Sequence, residues 1–292
     1  MTITQEADFC IDLHCHTTAS DGALPPKELV ARAHARGVTH LAITDHDTIA
    51  GLEEASEAAR EAGLTLIAGT ELSCLWKSHT IHIVGLDFDV DDDRLKQALE
   101  RQNTNRWSRA RTITDKLSKL KIENLLEKAT DKAGGDVPGR PHFARVLVEE
   151  GVVKDIAQAF KRYLGAGKAG DVKGFWPELP EVVRWITEAG GVAVLAHPRK
   201  YKLTATKLRA LVADFRQAGG RSIEVSTSGQ SSGDLGFLAE LCRRESLLAS
   251  QGSDFHFPGA PWCELGGIMK MPDGLEPVWH HFKQPAGVPA AV

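Results

Sequence analysis

The sequence predicts an α/β fold with a mainly parallel sheet, and three features of the chain support this. Short apolar runs, many of them rich in β-branched residues, recur along the sequence. Amphipathic stretches separate several of these runs and end on glycine, as a helix C-cap does. The strand candidates number seven, which favours a closed barrel over a short open sheet.

The strand candidates are apolar almost throughout, as strands buried on both faces should be. In chain order they read FCIDLH, THLAITDH, TLIAGTE, IHIVGLDF, VAVLAHP, SIEVS and LLASQGSD. Helix candidates follow the first and second strands and flank the fifth; they read PPKELVARAHARG, GLEEASEAAREAG, LPEVVRWITEAGG and TKLRALVADFRQAGG. This alternation of strand and helix is typical of β/α units.

The alternation stops between about residue 91 and residue 179, where the chain reads as polar helices and a glycine-rich connector. We therefore predict three segments. Residues 1–98 form the first part of the barrel, residues 99–179 form a helical insertion that caps the substrate site, and residues 180–292 form the second part. A long insertion between two strands of a barrel is expected to carry specificity rather than to support the core.

Composition sets limits on the class of protein. The 292 residues are 42% hydrophobic and 25% charged, as in an ordinary soluble globular protein. The opening MTITQEADFC lacks the features of a signal peptide, and five scattered cysteines with no CxxC pair argue against disulfides or a cysteine zinc site. We expect a cytoplasmic protein with no membrane contact and no obligate protein partner.

Charge is distributed unevenly along the chain. Residues 101–132 hold nine lysine and arginine residues against four acidic ones, although the net charge of the whole chain is −4. Such an asymmetry suits a lobe that faces an anion, while a solvated helix face explains most of these residues equally well.

The stretch IDLHCHTTASDG ends a predicted strand with two histidines, His14 and His16. Side chains two apart on a strand share a face, so both imidazoles point to one side and Cys15 to the other, where we expect it in the core. With Asp21 in the following loop they can form half of a metal site. The alternative is a pair of exposed polar residues at a strand end.

The other strands favour the metal site, because successive predicted strands carry or are followed by residues of ligand type. These residues are His46 in ITDHD, Glu71 in GTEL, His82 in IHIVG, His197 in VLAHP, and Asp254 and His256 in SQGSDFH. Catalytic groups of parallel α/β folds converge at the carboxyl ends of strands. Asp45 and Asp47 could orient His46 or cap a helix, and we expect His79 to lie in a loop.

Taken in order, DLHCHTTASDG, AITDHDT, GTEL, HIVG, LAHP and GSDFH resemble the polymerase and histidinol phosphatase (PHP) family of metal-dependent phosphoesterases. The resemblance covers about residues 8–90 and 180–260. It implies a distorted, TIM-like seven-stranded β/α barrel of the PHP type with two to three divalent ions. By matching motifs, the predicted ligand sets are His14, His16, Glu71 and Asp254; Glu71, His82 and His197; and Asp21, His46 and His256.

Imidazole and carboxylate ligands without thiolates suit Mn²⁺, which we expect, or Zn²⁺ or Fe²⁺. Adjacent ions would lower the pKa of a shared water and stabilise charge on phosphoryl oxygens. We therefore expect attack by metal-bound hydroxide on a phosphate monoester, and the sequence does not identify the general acid.

The insertion indicates the substrate. VPGRPHFARVL places Arg140 and His142 just before a helix, and LGAGKAG places Lys168 in a glycine-rich loop. Together they resemble the branch of the family that acts on nucleotides, in which a base-contacting aromatic follows the loop; here Phe175 or Trp176 would take that place. We predict removal of the 3′-phosphate from adenosine 3′,5′-bisphosphate, giving AMP. The alternatives are 5′-to-3′ trimming of short 5′-phosphorylated RNA and hydrolysis of histidinol phosphate.

Overall fold

Seven strands form one sheet whose spatial order follows the chain. The computed structural model describes residues 9–260 and 262–283. The predicted lack of a signal peptide rests mainly on residues 1–8, which lie outside these ranges. The strands are β1 (Ile11–Asp12), β2 (His40–Ile43), β3 (Thr65–Trp76), β4 (His79–Leu86), β5 (Val192–Leu195), β6 (Ser222–Thr227) and β7 (Leu248–Gly252). Pairing runs from β1 to β7 in that order. The predicted seven-stranded α/β fold is confirmed.

The sheet curls until β1 and β7 meet and nearly close a barrel. The Leu13 N–H donates to the Gln251 carbonyl oxygen over 3.1 Å, and a parallel bridge joins Cys15 to Phe255. Cys15 is fully buried, as expected. Glycine is required at Gly252, where an added Cβ would lie 2.2 Å from the Cβ of His14.

Pairing is parallel throughout the sheet except at β4, which runs antiparallel to both β3 and β5. The chain reverses through Lys77, whose φ of 55° is left-handed, so β3 and β4 form a long hairpin. The prediction of a loop position for His79 is wrong, because His79 begins β4 and pairs with Trp76. The reversal also brings the early part of β4 to the rim where the other strands end.

Nine helices are present in the described ranges. Five accompany the barrel strands: α1 (Pro26–Ala35), α2 (Leu52–Ala62), α7 (Leu179–Glu188), α8 (Ala205–Gln217) and α9 (Ser232–Arg244). Four lie between β4 and β5: α3 (Asp93–Leu117), α4 (Leu125–Lys132), α5 (Arg140–Glu149) and α6 (Ile156–Ala159). Side-chain caps set several starts; the carboxylate of Asp92 accepts from the Arg94 and Leu95 N–H groups, and Thr204 and Ser231 cap α8 and α9.

The helices between β4 and β5 pack on a hydrophobic cluster of their own, formed around Ile113, Phe143 and Leu147. The barrel helices instead pack on the sheet through residues such as Ile186 and Phe215. Helix α3 begins on the barrel side at Asp93 and continues into the second cluster without a break. The domain limits at residues 98 and 179 therefore stay a prediction.

Among the described residues, no helix has both the length and the apolar character needed to cross a bilayer.

Candidate metal centre

Nine side chains of ligand type, predicted separately along the sequence, meet at one mouth of the barrel. These nine candidate ligands are His14, His16, Asp21, His46, Glu71, His82, His197, Asp254 and His256. They come from the ends of β1, β2, β5 and β7, from within β3 and β4, and from the loop after β1. His82 is the exception to the rule of carboxyl ends, since it reaches the mouth from the first half of the reversed strand β4.

Glu71 lies at the centre of this group with its carboxylate fully buried. Five histidines place a ring nitrogen near its oxygens: His197 at 2.8 Å, His46 and His82 at 3.0 Å, and His14 and His16 at 3.4 Å. Burial alone would raise the pKa of Glu71, but the surrounding histidines hold it well below its ordinary value. An ionised carboxylate with two separate oxygens, each facing histidines, is suited to bridging cations.

The candidate ligands form four overlapping groups whose ligand atoms lie within 4.8 Å of one another. The groups are His14 with His16 and Asp254; His16 with Asp21, His46 and His256; His14 with Glu71 and His197; and His46 with Glu71 and His82. Glu71 takes part in two groups, in keeping with a bridging position. The predicted assignment of these residues to three particular ions stays a prediction.

Buried polar atoms without partners test whether this group fits a metal. Burial, and then the nearby charge of His256, lowers the pKa of His16 to about 3, so its imidazole is neutral. Neither of its ring nitrogens has a hydrogen-bond partner, and the same holds for Nε2 of His14 and Oε2 of Glu71. Leaving such atoms buried and unpaired is costly, whereas a divalent cation would use their lone pairs. The residues fit divalent metal ions.

Glu224, which the sequence prediction missed, fixes two of the candidate ligands. His14 Nδ1 donates to Glu224 Oε1 over 2.6 Å, and the backbone N–H of His197 donates to Oε2. Burial would lower the pKa of His14, but Glu224, Glu71 and Asp254 raise it well above its ordinary value. With Nδ1 committed to Glu224, Nε2 of His14 faces the centre. The signal in the sequence is the carboxylate inside the buried strand SIEVS.

The carboxylates flanking His46 do not orient it. Asp45 accepts from the Thr17 N–H at 2.7 Å and from the Ser20 hydroxyl at 2.6 Å, which fixes the loop after β1. Asp47 accepts from the Ser73 N–H at 2.6 Å and pairs with Arg106 at 2.7 Å. In the described parts of the chain neither has a hydrogen bond to His46 or caps a helix, so both predicted roles were wrong.

Lys200 and Tyr201, which follow His197 in the chain, also support the metal centre, and the sequence prediction missed both. The ammonium of Lys200 forms an ion pair with the carboxylate of Asp254. The Tyr201 hydroxyl accepts from the His82 N–H and donates to the Ala196 carbonyl, each over 2.9 Å. The sequence signal for these two residues is the run HPRKY. It forms a short 3₁₀ turn that places both side chains near the strand ends.

Backbone strain accompanies the candidate ligands. His197 and Asp254 have positive φ angles of 28° and 54°, a region that residues other than glycine rarely adopt. Such conformations persist where the surrounding structure holds them, and they concentrate at functional sites. Here the Glu224 and Lys200 contacts hold the two residues in place.

A cavity of about 360 Å³, which we call the first cavity, opens from the metal centre toward the insertion. Its lining includes Asp21, His46 and His82 from the centre, and its cations are Arg106, Arg109, Arg140, Lys173 and Lys200. Trp176 provides an aromatic wall, with the Arg109 guanidinium 5.4 Å from the ring centroid. Burial, together with Arg140 and Arg106, lowers the pKa of Arg109 to about 9. This concentration of cations suits an anionic ligand.

The structure places the three predicted substrate-binding residues differently. Arg140 lines the first cavity, with Nη1 3.3 Å from the Leu164 carbonyl and 3.9 Å from the Asp171 carboxylate. His142 is buried, and its Nδ1 accepts from the Gly139 N–H over 2.9 Å, which closes the first turn of α5. Lys168 is exposed in a turn outside the lining, and Lys173 lines the cavity in its place.

The family model for the PHP domain matches residues 12–172, which is more than half of the chain. The chain belongs to the PHP domain family. Six of the nine candidate ligands lie inside the matched residues. The other three, His197, Asp254 and His256, lie beyond it, in a part of the chain that full-length relatives also span.

Relatives of this PHP protein cover nearly the whole chain. A 5′-3′ exoribonuclease of Haemophilus influenzae is 46% identical over 93% of this chain and 98% of its own length. The 5′-3′ exoribonuclease Rnm of Escherichia coli is 45% identical over 94% of each chain. A 3′,5′-nucleoside bisphosphate phosphatase of Chromobacterium violaceum is 40% identical over 94% of this chain and 96% of its own.

Solved structures agree with the PHP assignment. An amidohydrolase from Chromobacterium violaceum, described with bound sulfate and no metal, superposes with a TM-score of 0.87 at 40% identity, covering 93% of this chain and 95% of its own. A protein of Bifidobacterium adolescentis, provisionally described as a metal-dependent phosphoesterase, has a TM-score of 0.77 at 29% identity and covers 93% of each chain. The expected family and barrel are confirmed.

Proposed function

We propose that this PHP protein is a phosphatase that removes the 3′-phosphate from nucleoside 3′,5′-bisphosphates, converting adenosine 3′,5′-bisphosphate to AMP and phosphate. One observation carries the proposal: eight candidate ligands surround the buried carboxylate of the ninth, Glu71, and three of the nine line a cavity whose walls hold five cations and a tryptophan. A volume of about 360 Å³ falls in the range of small-molecule sites. A bisphosphate offers one phosphate to the centre and another to the walls.

The candidate ligands would hold two or three divalent ions, with Mn²⁺ as the proposed metal and Zn²⁺ or Fe²⁺ as alternatives. Mixed imidazole and carboxylate donors support this choice. Bound there, the ions would activate water and offset charge on the phosphoryl oxygens. We assign His14, His16, Glu71 and Asp254 to one ion. Glu71 would bridge to a second ion that His82 and His197 complete, and Asp21, His46 and His256 would hold the third.

The chain's own cations would bind the remainder of the nucleotide. Arg140 and Arg109 line the first cavity, and the nearby carboxylate of Asp171 compensates only part of their charge. We assign the 5′-phosphate to them and the base to Trp176. His142 would contribute by shaping the amino end of α5, and Lys168 would contact the nucleotide from the exposed turn outside the lining.

Trimming of short 5′-phosphorylated RNA is the second candidate function, because two relatives at 45–46% identity are named 5′-3′ exoribonucleases. The same P–O3′ bond breaks in both reactions, so one site can serve both. Hydrolysis of histidinol phosphate is less well supported, since a small amino alcohol ester has no use for the additional cations of the first cavity. We further propose a cytoplasmic enzyme without an obligate protein partner.

A substrate panel tests the proposal with Mn²⁺-loaded protein. We expect kcat/KM to be highest for adenosine 3′,5′-bisphosphate, lower for 5′-phosphorylated oligoribonucleotides and lowest for histidinol phosphate. Hydrolysis in ¹⁸O-water should place one solvent oxygen in the released phosphate and none in AMP, because water attacks phosphorus. Preference for histidinol phosphate, or label in the AMP hydroxyl, would contradict the proposal.

Replacing Arg140 with alanine tests recognition of the second phosphate. We expect Arg140→Ala to raise KM for adenosine 3′,5′-bisphosphate by roughly tenfold or more, since hydrogen bonds to charged groups contribute about 1.5–3 kcal/mol. KM for an aryl phosphate, which lacks a second phosphate, should change much less. Arg209→Ala, at an exposed position of α8, is the matched control. Equal increases in KM for both substrates would exclude the proposed role of Arg140.

A further inference from the structure

A second cavity, of about 380 Å³, lies beside the metal centre and shares two residues with the first cavity. The shared residues are His46, a candidate ligand, and Arg106 of α3. The second cavity lies between the loop after β2, the outer face of α3 and the segment at Asp136 and Val137. A group held at the metal centre therefore has open space on two sides.

Arg106 forms the partition between the two cavities. Its Nη1 pairs with Asp47 Oδ2 at 2.7 Å, and the side chain is only 12% exposed. Asp47 is itself fixed by Ser73 and by the Gln102 amide, which donates to Oδ1 over 2.8 Å. This network holds Arg106 in a defined position between the two cavities.

The chemistry of the second cavity differs from that of the first. Its two cations, Lys96 and Arg106, are each paired with a carboxylate at 2.7 Å. Glu100 and Asp136 add negative charge. Five apolar side chains line it as well: Ala19, Ile49, Ala50, Leu99 and Val137. A second phosphate would meet no unpaired cation among these residues, whereas an uncharged group with a flat apolar surface and a few polar edges fits.

We propose that the second cavity binds the nucleoside that lies 3′ of the scissile phosphate when the substrate is 5′-phosphorylated RNA. The inference deepens the proposed function and rests on it. The first nucleotide occupies the first cavity and the phosphodiester lies at the centre. The next ribose and base then leave past His46 into the second cavity, with Asn103, Thr48 and Ser20 as polar contacts along the lining.

The reaction balances in the same way for both substrates. A water oxygen bonds to phosphorus, the bond from phosphorus to the 3′-oxygen of the first nucleotide breaks, and that oxygen takes up one of the water protons. With the bisphosphate, the products are AMP and inorganic phosphate. With RNA, the products are a 5′-mononucleotide and a chain shortened by one residue that keeps the phosphate at its new 5′ end.

The matched substrates for the test are adenosine 3′,5′-bisphosphate (pAp) and the dinucleotide pApA, which differ by the downstream nucleoside alone. A third substrate, pAp with its 3′-phosphate esterified to methanol, is a diester without that nucleoside. Two variants fill the second cavity with aliphatic carbon, Asn103→Leu on the exposed face of α3 and Ala50→Leu in the exposed loop. Thr104→Leu, exposed on α3 but outside the lining, is the control.

We expect each filling variant to raise the ratio of kcat/KM for pAp to kcat/KM for pApA by about tenfold, which corresponds to about 1.4 kcal/mol of lost binding. The kcat/KM for the methyl diester should change as little as that for pAp, and Thr104→Leu should leave all ratios as in the wild type. Activity on pAp verifies the fold of each variant in the same experiment.

Three outcomes would overturn the inference and leave the proposed phosphatase activity intact. The wild type could cleave pAp but not pApA, or the kcat/KM ratios could stay constant in both filling variants. The filling variants could also lower kcat/KM for the methyl diester as much as for pApA. A wild type inactive on pAp would instead overturn the proposed function.

Discussion

At the scale of single residues, Glu224 fixes the orientation of two candidate ligands, His14 and His197. Its two oxygens accept from the ring of His14 and from the backbone of His197, so one carboxylate fixes a tautomer and a strained backbone position together. Partners of this kind strengthen metal binding because they orient the ligand before the ion arrives.

Glu224→Gln is expected to weaken metal affinity by roughly 10–100-fold, the usual effect of losing such a partner. The amide keeps one acceptor for His14 but turns an N–H donor toward the N–H of His197, and the negative charge is lost. Isothermal titration of metal-stripped protein with Mn²⁺ measures the change. Glu240→Gln, with a side chain 74% exposed on α9, is the control. An unchanged Kd for Glu224→Gln would show that Glu224 serves the fold alone.

Single residues also show which parts of the site can be predicted from the sequence. Histidine and aspartate are conspicuous at the ends of apolar strands, so all nine candidate ligands could be singled out from the sequence. Glu224 lies inside a strand that looks like ordinary core, and its meaning depends on facing His14, 210 positions away in the chain. Asp47 was misjudged for the same reason, since its partners Ser73 and Arg106 are remote in sequence.

At the scale of elements, the first turn of α5 depends on His142, whose Nδ1 accepts from the Gly139 N–H. Burial lowers the pKa of His142 to about 4, below its ordinary 6.5. As the pH falls from 6.5 to 4, the unfolded chain therefore takes up a proton that the folded chain excludes. Stability from this residue is complete above pH 6.5 and declines toward pH 4.

His142→Gln should remove part of this acid sensitivity, because glutamine at the same position can accept from the capped N–H without titrating. Between pH 7 and pH 5 we expect the wild type to lose about 2 kcal/mol more of its free energy of unfolding than the variant. Urea unfolding with chelator present measures both, and exposed His34→Gln provides the comparison. Parallel pH curves for His142→Gln and the wild type would contradict the assigned pKa.

The direction of β4 is the element that sequence patterns could not supply. Apolar runs predict that a strand exists but not how it pairs, and the reversal at Lys77 follows from a two-residue turn between long partners. This reversal explains why His82 reaches the centre from the start of its strand and why His79 lies in the sheet. The helical insertion can be predicted from the sequence, because the alternation of strands and helices stops there. How its helices pack is known only from the structure.

At the scale of the whole molecule, the metal centre depends on near closure of the barrel, because β1 and β7 supply His14, His16, Asp254 and His256 from opposite ends of the chain. The contact is close: the Asp254 N–H donates to the His14 carbonyl over 2.7 Å. Gly252 lies at this seam, and an added Cβ would stand 2.2 Å from the Cβ and 2.7 Å from the backbone nitrogen of His14.

Gly252→Ala should therefore push apart the chain segments at β1 and β7, and it should lower both stability and metal affinity. The backbone and Cβ atoms of His14 cannot rotate away from the new methyl, so we expect a loss of about 1–3 kcal/mol in the free energy of unfolding, as for other overpacked sites. Chemical denaturation and Mn²⁺ titration of the same preparations measure both effects. Gly236→Ala on α9, where a Cβ meets nothing within 4 Å, should retain wild-type metal affinity and be neutral or stabilising. If Gly252→Ala lost stability but kept full metal affinity, the centre would tolerate an opened seam, and the coupling between closure and metal binding would be wrong.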